Sequence, residues 1–230
     1  MSQLLQLNYA IFQAVNSHAG THHWLDVLMI FCANYLIFLF PLVMLLMWGR
    51  PLSWRKEALS AGEQEILQQR RAAALWIVIA CIGAYVLNFT LEHIIFEPRP
   101  FITHHVHQLV SHAADASFPS DHTAWSFAVG GMFLFQLLPT WRKARQHADQ
   151  AHDASLLKAL AYPGLLTLLA LVMGCIIGFA RVFVGVHYPG DILGGAIDGL
   201  IAAMIMTLLR YALSKPTNAI LRFAGNAHLA

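Results

Sequence analysis

Charge is what this sequence has least of. Among its 230 residues are 14 Lys and Arg and 12 Asp and Glu, together 11%, where a water-soluble domain carries about 25%. So few charges cannot cover a water-facing surface. That excludes an ordinary soluble domain and leaves an integral membrane protein. The net charge of +2 gives no general attraction for nucleic acid, and no such partner is expected. Cysteine is also scarce. Cys32, Cys81 and Cys175 each lie inside an apolar run, and their number is odd, so neither a disulfide framework nor a thiolate metal site is expected. Internal repeats and low-complexity segments are missing. No basic stretch precedes the first long apolar run, which begins near Leu25. That run is expected to serve as an uncleaved membrane signal.

What is present is hydrophobic sequence, 58% of the chain, with a mean hydropathy of +0.57. A helix needs about 20 apolar residues to span a bilayer. Five stretches qualify: residues 25–48, 73–96, 123–138, 162–184 and 192–209. The third is short and needs its polar head, from Ser120, to reach full length. Residues 2–17 are amphipathic and too polar to span, which predicts an interfacial helix. The expected fold is therefore all-α: a polytopic membrane bundle of about five transmembrane helices plus an N-terminal interfacial helix, forming one domain over residues 1–230.

The cations are placed unevenly. Arg50, Arg55, Lys56, Arg70 and Arg71 follow the first span. Arg142, Lys143, Arg145 and Lys158 follow the third, and Arg210, Lys215 and Arg222 the fifth. By the positive-inside rule that side is cytoplasmic. The N-terminus and the loops after spans two and four then face outward. The polar linkers at 49–71 and 139–160 are expected to be solvated and helix-compatible. Only Arg99 and Arg181 lie near the outer surface, and there they invite a functional explanation. The outer loop 97–119 also holds His104, His105, His107 and His112. Their spacing fits no standard zinc pattern, so they are expected to be surface histidines.

Three polar clusters share that outer end: Glu97-Pro98-Arg99-Pro100, Pro119-Ser120-Asp121-His122, and the stretch 180–191 with Arg181, His187 and Asp191. Two guanidinium forks suit phosphate oxygens. Ser120 can cap the third span, whose first-turn N–H groups form an anion site. Asp191 follows His187 by four residues and can hold one imidazole nitrogen, leaving the other free to attack. His122 offers a second imidazole, able to protonate a leaving oxygen. Such a set fits phosphoryl transfer through a phosphohistidine, where positioning and charge stabilisation carry most of the catalysis.

The motifs Arg99-Pro100, Pro119-Ser120-Asp121-His122, and Arg181 to His187 to Asp191 resemble those of the type 2 phosphatidic acid phosphatase superfamily. The resemblance covers about residues 73–210. It implies a metal-independent mechanism without a cofactor, with His187 as nucleophile, Asp191 as its partner and His122 as general acid. Arg99, Ser120 and Arg181 would bind phosphate. Two positions depart from the family pattern. Glu92 stands where a Lys usually opens the first motif; it is expected to pair with Arg99 or orient a water, or else to reach for solvent. Ala180 replaces the usual Ser before Arg181. Asp121 is expected to be a helix-start acid favoured by the dipole. Asp198, seven residues after Asp191, and Asn88 are expected to make structural hydrogen bonds inside the bundle.

A site at the membrane interface suits an amphiphilic substrate whose tail stays in lipid. Within the superfamily the short five-span build and Arg99-Pro100-Phe101 look most like the bacitracin-resistance type of undecaprenyl-diphosphatase. That implies a polyprenyl diphosphate substrate, membrane-lipid contacts, a bacterial plasma-membrane location and an outward-facing site. Two other readings stand beside it. One is a phosphatidylglycerophosphate or phosphatidic acid phosphatase, or a lipid phosphotransferase, of the same fold. The other is a non-catalytic phospholipid transporter or binder.

Overall fold

A computed structural model describes residues 3–49, 61–147 and 154–226, which are helical apart from loops and one isolated bridge between Pro98 and Ala116. The helices are α1 (Gln3–Asn16), α2 (His23–Asn34), α3 (Leu39–Trp48), α4 (Ala61–Ile94), α5 (Pro100–Thr103), α6 (Asp121–His147), α7 (Ala154–Phe183), α8 (Pro189–Ala212) and α9 (Ser214–Asn226). Residues 50–60 and 148–153, within the two basic linkers, lie outside the described part. The second linker is shorter than expected, because α6 runs on to His147 and α7 begins at Ala154.

Among the described residues α4, α7 and α8 are long and apolar enough to cross a membrane. The first expected span is broken: α2 and α3 meet at 42° across a 3-10 turn at Leu36–Phe38. Pro41 explains the break. It has no N–H to give the Ile37 carbonyl, and its ring crowds that carbonyl in a regular helix. Counting the bent pair as one span gives four, against the five expected. The other candidate, α6, has 27 residues and is about 40 Å long at 1.5 Å per residue. It runs through the middle of the bundle against α4, α7 and α8.

Small residues let α6 and α8 touch through their backbones. A Cβ on Gly195 would stand 2.5 Å from the Ser120 carbonyl oxygen, and one on Gly199 2.2 Å from that of Ala124. This is the close approach a G-x-x-x-G spacing permits. Ala124, Ala128 and Ala203 are fully buried at the same seam, with Ile77, Met132 and Ile177 around them. Other faces of the helices are apolar and exposed: Ile82, Val86 and Phe89 on α4, Leu168 and Leu169 on α7, Leu193, Ile197 and Leu208 on α8. An apolar exterior around a packed interior is what lipid-facing helices require.

A second cluster closes one end of the bundle, where Ala19, Ala33, Phe183, Val184 and Val186 are buried together. Above it lies α1. Its Phe12 is buried against Val182 and Tyr188, while Leu4, Leu7 and Ile11 are exposed. Asn16 fastens this helix. Its Nδ2 donates to the carbonyls of His107 (2.9 Å) and Phe183 (2.8 Å), and its Oδ1 accepts the His107 N–H (2.9 Å). At the opposite end, Arg70 donates to the Leu46 carbonyl and Arg71 to that of Trp48, at 2.9 and 3.0 Å. Cations there complete the unpaired carbonyls that end α3.

Candidate active site

The alternating direction of α4, α6, α7 and α8 brings the end of α4, the start of α6 and the α7–α8 turn to one end of the bundle. The turn needs Gly185, whose φ of +84° is in the left-handed region and whose Cβ would collide with the His107 carbonyl at 2.8 Å. Pro189 starts α8 at its first position, where its missing N–H costs nothing. Asp191 then turns back on the loop. Its Oδ2 accepts the Tyr188 N–H at 2.7 Å and the Ser117 hydroxyl.

His187 sits in that turn, 2% exposed. Its Nδ1 is 2.9 Å from the Ser117 carbonyl oxygen and 3.3 Å from Asp191 Oδ2. A carbonyl can only accept, so Nδ1 carries the proton and Nε2 carries the lone pair. Nε2 lies 3.1 Å from Arg99 Nη1, a permanent donor. Burial, and then the charges of Arg181 and Arg99, hold the imidazole well below the usual histidine pKa. His187 thus presents a neutral imidazole with its lone pair fixed on Nε2. The expected partnership with Asp191 is present but shared, since the Ser117 carbonyl is the nearer acceptor.

Arg99 is 6% exposed. Its Nε donates to Asp115 at 2.6 Å and its Nη1 to the Val186 carbonyl at 3.0 Å. Arg181 is 3% exposed, and the protein gives its Nε no hydrogen-bond partner. A buried guanidinium nitrogen left unpaired is costly, and an anion would relieve that cost. Ser120 is fully buried just before α6, with its N–H on the Asp191 carbonyl at 3.1 Å. Its hydroxyl accepts from Thr123 at 3.2 Å and caps no backbone N–H. His122, in the first turn of α6, is half-buried within the electrostatic reach of Arg181, His187, His112 and Arg99.

Asp121 and Asp198 behave otherwise than expected, while Glu92 follows the last of its expected alternatives. Arg99 takes Asp115 as its acid, and Glu92 lies partly exposed beside His93 at 3.7 Å. Asp121 is more than a dipole-favoured acid, because its Oδ1 accepts from Asn88 at 2.8 Å and ties α4 to α6. Asp198 is buried, yet its Oδ2 has no hydrogen-bond partner. The histidines of the loop between α4 and α6 divide. His105 and His107 are exposed, whereas His104 stacks on Tyr9 at 4.0 Å and His112 meets the His187 ring edge-to-face at 6.2 Å.

A family model described as the PAP2 superfamily matches residues 73–215. The chain belongs to the PAP2 superfamily. The match spans α4 from Ala73 through α8, and with it all three motifs. This PAP2 chain is 34% identical to "Undecaprenyl-diphosphatase BcrC" of Bacillus subtilis over 86% of its own length and 82% of the relative's. It is 29% identical to "Putative undecaprenyl-diphosphatase YbjG" of Escherichia coli over 91% and 86%. Its fold also matches a transmembrane PAP2-type phosphatidylglycerolphosphate phosphatase of Bacillus subtilis. That match has a TM-score of 0.62 at 20% identity, over 94% of this chain and 90% of the other.

Sequence reasoning missed Ser117, Asp115 and His112 in this PAP2 site. Ser117 contributes a carbonyl, which no side-chain pattern announces. Asp115 sits in a loop with no periodicity. The Pro98–Ala116 bridge and the Ser117 N–H on the Glu97 carbonyl at 2.7 Å draw that loop over the site.

Proposed function

We propose that the protein is an undecaprenyl-diphosphatase that releases the terminal phosphate of undecaprenyl diphosphate at the outer face of the bacterial plasma membrane. The observation that carries this reading is the pairing at His187: Nδ1 is fixed by a carbonyl, and Nε2 stands 3.1 Å from Arg99. That is a nucleophile beside a phosphate-binding cation. The names of the BcrC and YbjG relatives support the substrate. The concentration of Lys and Arg at the other end of the spans supports the outward orientation.

In the first step His187 Nε2 attacks the terminal phosphorus. The bond to the bridging oxygen breaks, and undecaprenyl phosphate leaves with a proton from His122. Arg99, Arg181 and the N–H groups opening α6 hold the phosphoryl oxygens as charge shifts onto them. In the second step water attacks the phosphorus, His122 takes its proton, and the P–N bond breaks. Inorganic phosphate leaves and His187 recovers its lone pair. Asp191 supports the imidazole throughout. The leaving group is itself a phosphate, so it demands less of His122 than an alkoxide would. With Leu4, Leu7 and Ile11 exposed, α1 rests on the bilayer surface as an interfacial helix.

The test is phosphate release by the purified protein from undecaprenyl diphosphate, phosphatidylglycerophosphate and phosphatidic acid, with His187→Ala as the control. Preference for the diphosphate is expected. Preference for a monophosphate lipid would move the substrate elsewhere in the superfamily, and lipid binding without any release would make the protein a binder.

A further inference from the structure

We propose that His112 is a substrate-contacting residue of this site, a third cation that meets a phosphoryl oxygen through Nε2. The inference rests on the phosphate-binding reading of the site but not on the identity of the lipid. His112 lies on the outer loop, and its ring packs edge-to-face on His187, centroids 6.2 Å apart. Its Nδ1 is backed by two acceptors, the Ala113 carbonyl at 3.3 Å and Asp115 Oδ1 at 3.8 Å. The same Asp115 oxygen holds Arg99 Nε at 2.6 Å. One carboxylate thus ties His112, Arg99 and the loop into a unit beside the nucleophile.

The cradle is short of charge without it. Asp115 offsets part of Arg99, whose Nε and Nη1 already have protein partners. Glu92 adds no positive charge to it and lies partly exposed beside His93 at 3.7 Å. Any phosphoryl group carrying two or more negative charges therefore brings more charge than Arg99 and Arg181, with Asp115 beside them, neutralise. The charged and titratable groups within electrostatic reach of His112 are Arg99, Arg181, Asp115, His122 and His187, the last in ring contact with it. Burial and the two arginines keep the imidazole neutral at rest. An anion between those arginines reverses the balance. His112 then takes up a proton, with Nδ1–H directed to Ala113 and Asp115 and Nε2–H to the phosphoryl oxygen.

The experiment is calorimetric binding of orthovanadate to the full-length protein in detergent from pH 6 to 8.5. Buffers of different ionisation enthalpy report proton uptake. Wild type, His112→Ala and His112→Gln are compared. His112→Ala is expected to bind vanadate about tenfold more weakly, the worth of one charge-assisted hydrogen bond, and to lose the proton uptake. His112→Gln keeps a donor near the Nε2 position and is expected to recover much of the affinity without the proton. A merely structural loop residue would leave proton uptake unchanged in any variant that folds. Equal affinity and uptake in wild type and His112→Ala, or no vanadate binding by wild type, overturns the proposal. Failure of wild type to hydrolyse undecaprenyl diphosphate would sink the substrate reading while leaving the vanadate comparison intact.

Discussion

The His187 imidazole is held by a main-chain oxygen before it is held by an acid: Nδ1 is 2.9 Å from the Ser117 carbonyl and 3.3 Å from Asp191 Oδ2. The carbonyl fixes the tautomer even when the carboxylate is altered. Asp191→Asn is therefore expected to lower kcat by roughly 100-fold, the low end for a positioned acid–base partner, and His187→Ala by several orders of magnitude more. Rapid-quench measurement of the phosphoenzyme separates the two. Equal losses in both variants would show that Asp191, not Ser117, sets the reactive nitrogen.

The depressed pKa of His187 has a pH consequence. Burial, Arg181 and Arg99 favour its neutral form, so the proposed nucleophile keeps its lone pair below the ordinary histidine value of about 6.5. The acid limb of phosphoenzyme formation is expected below pH 6.5. The unfolded chain binds this proton more readily than the folded one, so His187 costs stability as pH falls through about 6.5. A limb centred above pH 7 would contradict this environment.

Asn16 makes three hydrogen bonds that anchor α1 to the loop before α6 and to the end of α7. Asn16→Leu leaves the buried Phe183 carbonyl unpaired, at about 1–3 kcal/mol, and removes the partner of the part-buried His107 N–H and carbonyl. A clear drop in the thermal midpoint in detergent is expected. An unchanged midpoint would mean that α1 is only loosely laid on the bundle.

The seam between α6 and α8 admits no added carbon. Gly199→Ala places a Cβ 2.2 Å from the Ala124 carbonyl oxygen, and overpacking of this kind costs about 1–3 kcal/mol. The helices must part, which moves Ser120 and His122 away from Asp191 and His187. Lower stability and lower activity are expected together. Gly164→Ala, where nothing stands within 4 Å, is the control and should retain both.

Asp115→Asn removes the charge that Arg99 and His112 share. Vanadate binding is expected to change in strength, and its proton uptake to fall, because the imidazolium loses its carboxylate. Undiminished proton uptake in this variant would place the charge balance elsewhere.

The sequence by itself determined the membrane bundle, because eleven charged residues per hundred cannot clothe a soluble surface and the apolar runs have spanning length. It also led to Arg99, His122, Arg181, His187 and Asp191 as one proposed site, because alternating spans return each motif to one end. Pro41 was a readable signal for the bend in the first span. Only the tertiary structure decided which groups touch. The Ser117 carbonyl carries no side-chain signature, and Asp115 and His112 reach the site through a loop whose path is set by long-range bonds to Glu97 and Asn16. Those contacts join residues far apart in the chain, where no local period or spacing can express them.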